Sequence, residues 1–413
     1  MLTSLTIHNY RSLHHVSLLA LPQFCVFVGA NAAGKSNLAD AMDFLSCVFR
    51  RGLVEAVRSK GGYESICHRR MRRSKSGIEF EIHAVAEESA PSVPGGRGAQ
   101  AVEFVYRFAF KATTGAITTQ HTVGIEELRF RATSPNTGWV GLRRDGEHMT
   151  VADSSGLQAL NKAMGEDMVG WLPDYAERVT VPPDELFVPT RLSNVPVIWS
   201  LCWLLSRCRV YQISPDTAKQ TGVPEGSPEL GRHGENLPAA VEFLRRRQGD
   251  AYEELLSHLK HAVPSMRKLE TDYVETKQLG LFFTEDGVGR RWLSHDVSDG
   301  TIRVVGMFVA LLDKRSRIVV IEEPENSLHP WILRHFINAC KAATGKQVFL
   351  TTHSLVALNE SPLEAIFLVT RKAGSTAVEK CDEKHPEAKQ VIAEQLMGPG
   401  ELWDSGALDA VPE

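Results

Sequence analysis

Eight consecutive residues, Gly29-Ala30-Asn31-Ala32-Ala33-Gly34-Lys35-Ser36, fill the pattern GxxxxGK[ST] completely. That pattern suits phosphate chemistry. Its glycines let backbone N–H groups curl around phosphates, its lysine neutralises their charge, and its final hydroxyl can ligate Mg2+. The loop needs a buried strand before it and a helix behind it. Phe24-Cys25-Val26-Phe27-Val28 is an uninterrupted apolar run of strand type, and Leu38, Met42, Leu45 and Phe49 follow at helical spacing. Such a loop also needs an acidic element to hold the metal and orient water. Ile318-Val319-Val320-Ile321 followed by Glu322-Glu323 supplies a strand with two carboxylates at its C-terminal end. Glu322 is expected at the metal, directly or through water, and Glu323 beside the attacking water.

Two further elements accompany this pair. Val297-Ser298-Asp299-Gly300-Thr301 opens an apolar helix ahead of the acidic strand, and Ser298 there reads equally well as a simple N-cap. His353, in Val348-Phe349-Leu350-Thr351-Thr352-His353-Ser354, closes the next apolar strand. A lone histidine is usually structural, but this placement fits a γ-phosphate sensor.

The elements that must position these residues alternate along the chain. Strands are expected at Leu5–His8, Val16–Leu18 and Phe24–Val28, then antiparallel runs at Ile78–Val85, Val102–Phe110 and Thr122–Phe130. A largely helical pattern runs from Leu157 to Ile213, ending in a short strand Val210–Ile213, and two helices are expected across Ala239–Val263. After that come a helix Thr301–Leu312, a strand Ile318–Ile321, a helix Trp331–Ala343, and strands Gln347–Leu350 and Ala365–Val369. Strands alternating with helices predict an α/β fold with a mostly parallel sheet.

With 46 Lys+Arg against 50 Asp+Glu and 43% hydrophobic residues, the 413-residue chain has a soluble globular composition that excludes collagen-like, disordered and membrane classes. Its longest apolar stretches, Val195–Leu205 and Met307–Leu312, fall short of the ~20 residues that span a bilayer, and no secretory signal opens the chain. A cytoplasmic protein without membrane contact is expected. Seven scattered cysteines with no CxxC support neither a zinc ribbon nor a disulfide framework.

Together, Gly29–Ser36, Ser298–Gly300, Glu322-Glu323-Pro324-Glu325 and Thr352-His353-Ser354, in that order, resemble the ABC-type P-loop ATPases of the RecF, SMC and OLD kind. Asn9-Tyr10-Arg11-Ser12-Leu13 looks like the N-terminal motif of the same group. Gly234-Glu235-Asn236-Leu237 and Gly400-Glu401-Leu402-Trp403-Asp404-Ser405-Gly406-Ala407-Leu408 are similar to the small stand-alone bacterial AAA-type ATPases found in anti-phage defence loci. The resemblance implies an ABC-type head with an antiparallel β subdomain and a mixed, largely helical insertion. Its parts would be residues 1–132 with the P-loop, residues 133–290 as insertion, and residues 291–413 with the signature-like motif, acidic strand and histidine.

It also implies ATP and Mg2+ as cofactors and a head-to-tail homodimer with ATP between the copies. Arg11, Gly29, Asn31, Gly34, Lys35, Ser36 and Asn37 would hold the nucleotide, joined by Ser298 and Gly300 across the interface. Ser36 and Glu322 would hold the metal, and Glu323, His353 and Lys35 would carry catalysis. The sequence departs from the pattern at Glu322, where many members have Asp, and at the signature-like motif, which lacks a Gly-Gly-Gln continuation. No Q-loop glutamine can be assigned, and the residues after His353 are too few for a Toprim nuclease domain.

The expected function is therefore Mg-dependent ATP binding and hydrolysis that gates a nucleic-acid-related or anti-phage defence process. The alternative is a nucleotide-gated scaffold or sensor with slow hydrolysis that controls a separately encoded effector. Arg69, Arg70, Arg72 and Arg73 form the candidate DNA contact, with Arg245-Arg246-Arg247 a second cluster, although a charge run is often just a solvated face. An autonomous nuclease ranks last, because Glu126-Glu127, Asp145, Glu147-His148 and Asp174 make no metal-binding spacing. Arg107, Arg129, Arg131, Arg143 and Arg144 are expected as strand-surface charges.

Overall fold

In the strand Ala101–Ala112, Val102, Phe104, Tyr106, Phe108 and Phe110 are buried while their neighbours face outward, the period-two signature of a sheet with one wet face. The computed structural model describes residues 1–68, 77–87, 101–113, 121–134, 137–164, 169–274, 277–394 and 396–408. The chain divides into two compact units. The first comprises Met1–Pro22, Asn31–Cys208 and Val369–Glu379, and the second Gln23–Ala30, Arg209–Leu368 and Lys380–Glu413.

The first unit is built on a seven-stranded antiparallel sheet in the order Leu13–Leu18, Leu2–Tyr10, Ile78–Glu87, Ala101–Ala112, His121–Ala132, Val140–Asp145 and His148–Asp153. The helix Lys35–Arg51 lays Leu38, Met42, Leu45 and Phe49 into the core, as their spacing requires. Phe44 stacks on Phe80 with ring centroids 5.6 Å apart, and Phe80 on Phe108 at 5.4 Å. Each such buried side chain contributes about 1.5–3 kcal/mol, which fixes this helix against the sheet. Helices Leu157–Met164, Leu172–Arg178, Phe187–Thr190 and Pro196–Ser206 follow.

One surface charge expected from the sequence is not on the surface. The Arg144 side chain is only 4% exposed, and its guanidinium faces the fully buried carboxylate of Glu126. Strand alternation is the cause: Glu126 lies in unbroken register with Leu128 and Phe130 and shares their inward face, and Arg144 meets it there. Arg107, Arg131 and Arg143 pair across strands with Glu79, Glu103 and Glu127 and remain accessible.

In the second unit the strand portion 366–368, the strands Phe24–Val28, Gln347–Thr352 and Ile318–Glu322, and the strand portion 209–211 lie side by side in that order, the first four parallel. Phe24–Val28, Ile318–Glu322 and Gln347–Thr352 are buried along their whole lengths, as expected of strands covered on both faces. Helices Leu237–Arg247, Gly249–Ala262, Asp299–Leu312 and Pro330–Ala342 supply the covering layers. A three-stranded antiparallel sheet, Met266–Tyr273, Leu279–Glu285 and Trp292–Leu293, was not foreseen. The first of these strands, MRKLETDY, buries only Met266 and Leu269 and so carries no alternation to read. The architecture is an α/β fold with an antiparallel β subdomain and a mixed, largely helical insertion. No helix among the described residues is long and apolar enough to cross a membrane.

Candidate nucleotide-binding site

Strand register brings the acidic and histidine motifs of the second unit together. Val28 pairs with Thr352, and Thr351 pairs with both Phe27 and Glu322. Gly29, Glu323 and His353 therefore leave three adjacent parallel strands along one edge, at their carboxyl ends. Open α/β sheets bind ligands outside that edge.

Each carboxylate there has its own restraint. Glu322 is 1% exposed, and its Oε1 accepts a hydrogen bond from Arg232. Glu323 has a left-handed backbone, φ 47°. Its N–H donates to Thr351 O at 2.8 Å, its carbonyl accepts from Arg303 Nη2 at 2.8 Å, and its Oε2 accepts from Asn326 Nδ2 at 2.8 Å. Glu325 Oε1 accepts from Thr352 Oγ1 at 2.8 Å and His353 N at 2.9 Å, and lies 3.2 Å from His353 Nδ1. Burial lowers the pKa of Arg303, against which Glu325 and Glu323 act. Glu325 Oε2 and Arg303 Nε are both buried and have no hydrogen-bond partner among the described residues.

Ser298 caps the helix Asp299–Leu312, its Oγ accepting from Thr301 N at 3.2 Å, so the simple capping role is present. Gly300 cannot carry a side chain without displacement, because a Cβ there would lie 2.9 Å from the backbone oxygen of Ser327. Asp299 accepts from Lys219 Nζ at 2.6 Å.

The rest of the glycine loop lies in the first unit. Ala32 has φ 62° and Gly34 φ +115°, the left-handed turns that make a concave row of N–H groups. The helix behind it has no side-chain N-cap and no acid in its first turn. Lys35 is 5% exposed. Asn37 Nδ2 donates to Ser12 Oγ at 2.6 Å. Arg11, expected at phosphate, has a left-handed backbone and its Nε 2.6 Å from Asp40 Oδ2.

Asp40 is the hub of that corner. Tyr10 OH donates to its Oδ2 and Lys60 Nζ to its Oδ1, both at 2.7 Å. Burial pushes its pKa up, but Lys60, Tyr10 and Arg11 together outweigh burial and hold it below the ordinary carboxylate value. Burial also drives the Tyr10 phenol well above its usual range, with Asp40 adding to the shift.

Arg69, Arg70, Arg72 and Arg73 lie outside the described residues. In the second basic cluster, Arg245 and Arg246 both donate to Glu242. That carboxyl is raised by burial but lowered further by these arginines and Thr271, to about 2. The cluster is partly neutralised by its own helix.

Arg232, Arg303, Asp40 and Lys60 were not singled out from the sequence, and neither was Thr376, whose hydroxyl donates to Ala33 O. Their partners lie far away along the chain, so no local pattern announces them.

A glycine loop opening an uncapped helix, and a parallel-sheet edge ending in carboxylates and a histidine, define a P-loop nucleotide-binding protein of the ATPase kind. The chain belongs to the family described as "AAA domain, putative AbiEii toxin, Type IV TA system", whose model matches residues 24–93 and 203–359, more than half of its length. The matched residues include the glycine loop, the signature-like motif, the acidic strand and His353. A search of curated proteins found no match. Among solved structures the chain is similar to an SMC head bound to the C-terminal winged-helix domain of ScpA, with 13% identity over 92% of this chain and 96% of that one, TM-score 0.45. The SMC head domain from Thermotoga maritima is 13% identical over 92% and 98%, TM-score 0.37. An Smc head with an extended coiled coil bound to the C-terminal domain of ScpA, derived from Pyrococcus furiosus, is 11% identical over 96% and 99%, TM-score 0.42.

Proposed function

We propose that the chain binds ATP with Mg2+ and hydrolyses it in a head-to-tail dimer whose closure gates a defence or nucleic-acid-related process. The observation that carries this reading is the strand register that aligns Gly29, Glu323 and His353 on one sheet edge. Gly29, Asn31 and Gly34 cradle the phosphates and Lys35 neutralises them. Ser36 and Glu322 offer hard oxygen donors of the kind Mg2+ takes. When bound, that ion polarises the terminal phosphate. Glu323, fixed through its N–H, its carbonyl and its own carboxylate, orients the attacking water. With His353 Nδ1 engaged on Glu325, Nε2 is the atom left to meet the γ-phosphate. Ser298 and Gly300 present a helix N-terminus to the nucleotide of the second copy. The family's toxin and antitoxin description favours a separately encoded partner as the controlled component. Any nucleic acid would engage Arg69, Arg70, Arg72 and Arg73.

A second reading, a scaffold with slow hydrolysis, draws support from Arg232. Its ion pair with Glu322 competes for the carboxylate that the metal needs. The two readings separate on Arg232→Ala, which accelerates turnover if the pair restrains hydrolysis and otherwise leaves it unchanged or lower. The shared premise is tested by equilibrium binding of ATP to Lys35→Ala. Loss of binding is expected, and wild-type affinity would overturn the premise.

A further inference from the structure

The most consequential contact that the motifs do not account for comes from the hairpin of strands Ile366–Lys372 and Ser375–Lys380, in its Val369–Glu379 part, which belongs to the first unit. Thr376 is 3% exposed and its Oγ1 donates to the carbonyl of Ala33 at 2.8 Å. Its backbone N–H donates to Ser12 O at 2.8 Å. Five residues earlier, Arg371 Nη1 donates to the carbonyl of Ala32 at 3.1 Å. Two consecutive loop carbonyls are thus held by one hairpin.

A threonine hydroxyl has one proton, and here Ala33 O takes it. Thr376 Oγ1 therefore accepts from Ser12 Oγ at 2.7 Å, and Ser12 Oγ accepts in turn from Asn37 Nδ2 at 2.6 Å. The donors run one way, from Asn37 through Ser12 and Thr376 to the loop, and each bond polarises the next. The fit admits no side chain at the neighbouring position, because a Cβ on Gly34 would lie 2.0 Å from Thr376 Oγ1.

Peptide planarity gives these contacts a functional direction. In a trans peptide the C=O of one residue points opposite to the N–H of the next. Holding the carbonyls of Ala32 and Ala33 toward the hairpin turns the N–H groups of Ala33 and Gly34 the other way, into the concave side of the loop. We infer that Thr376 and Arg371 are positioning residues that pre-set the phosphate-binding nest by clamping its carbonyls, so that phosphate meets donors already aimed. This rests on reading Gly29–Ser36 as the phosphate loop.

The test is a titration of the full-length protein with ATP and with ADP in Mg2+, using wild type, Thr376→Val, Thr376→Ser, Arg371→Met and Lys35→Ala, with thermal melting of each nucleotide-free protein alongside. Valine keeps the branched shape and removes the hydroxyl, and serine restores it. Thr376→Val is expected to weaken ATP and ADP together by about tenfold, as for loss of one charge-directed hydrogen-bond contact. Thr376→Ser should return to within about threefold of wild type, and Arg371→Met, a change at an exposed side chain, should weaken both nucleotides with no shift in melting. Should Thr376→Val fail to fold, Arg371→Met carries the test by itself. Wild-type affinity in Thr376→Val and Arg371→Met, while Lys35→Ala has lost binding, overturns the clamp and leaves the phosphate-loop reading standing. Wild-type affinity in Lys35→Ala overturns that reading and the clamp with it.

Discussion

Replacing Arg303 by Met should separate catalysis from binding. Arg303 lies near the start of the helix Asp299–Leu312, is 5% exposed, and donates through Nη2 to the carbonyl of Glu323 at 2.8 Å. Methionine has a similar reach, fills the same space and removes a charge that burial already disfavours, so global stability should change by about 1 kcal/mol or less. The local effect is larger. A hydrogen bond from a charged donor contributes about 1.5–3 kcal/mol, and the left-handed backbone of Glu323 stores on the order of 1–3 kcal/mol that this bond helps to hold. If the full bond energy is lost at the carboxylate proposed to orient water, kcat falls about 10- to 150-fold, since 1.4 kcal/mol is a decade in rate. The dissociation constant for ATP should move less than about twofold. The assay is steady-state phosphate release with an independent binding titration, and Arg303→Lys should recover part of the rate by restoring a donor. A kcat within about threefold of wild type in Arg303→Met would refute the claim that this contact places Glu323.

Two further outcomes follow from the first unit. Glu126 accepts from Phe187 N, Val188 N and Tyr106 OH, each at 2.9 Å and each buried, and faces Arg144. Glu126→Ala strands those donors and an arginine, a loss on the order of 5 kcal/mol that rivals the stability of a domain. It should be unfolded or aggregated at physiological temperature, with Glu126→Gln intermediate, and a melting temperature within about 3 °C of wild type for the alanine variant would refute the network's role. Asp40 titrates below its ordinary value in the fold, so its contribution is present above about pH 4 and is lost as pH falls through the lowered pKa. Asp40→Asn should therefore be about 3 kcal/mol less stable than wild type in urea at pH 7. The gap should close toward pH 2, whereas an unchanged gap at low pH would assign the effect to packing.

Local chemistry was legible wherever one short segment carried it. The apolar run Phe24–Val28, the loop Gly29–Ser36 and the strand Ile318–Glu322 each declare themselves, because a buried parallel strand tolerates no polar residue and a phosphate nest needs glycine. Periodicity also marked the helices Asp299–Leu312 and Pro330–Ala342 to within a residue or two of their observed ends. Contacts made by distant residues were not legible. Thr376 reaches Ala33, Arg232 reaches Glu322 and Arg303 reaches Glu323, and none has a spacing that a pattern could register. Glu126 was visible as an acid but not as a buried one, since the groups that satisfy it there, Arg144 and the backbone N–H groups of Phe187 and Val188, come from later segments of the chain. Ser298 shows a different limit: it caps its own helix, and the proposed meeting with a nucleotide across a dimer would use the same hydroxyl and the same helix end.

The central claim, a nucleotide-gated dimer whose hydrolysis depends on Glu323, is tested most directly by ATP turnover and mass in solution for wild type and Glu323→Gln, with and without DNA. The account predicts that Glu323→Gln binds ATP as wild type does, turns it over at least about a hundredfold more slowly, and accumulates as an ATP-dependent dimer. Turnover at the wild-type rate, or a variant that stays monomeric with ATP bound, would contradict it.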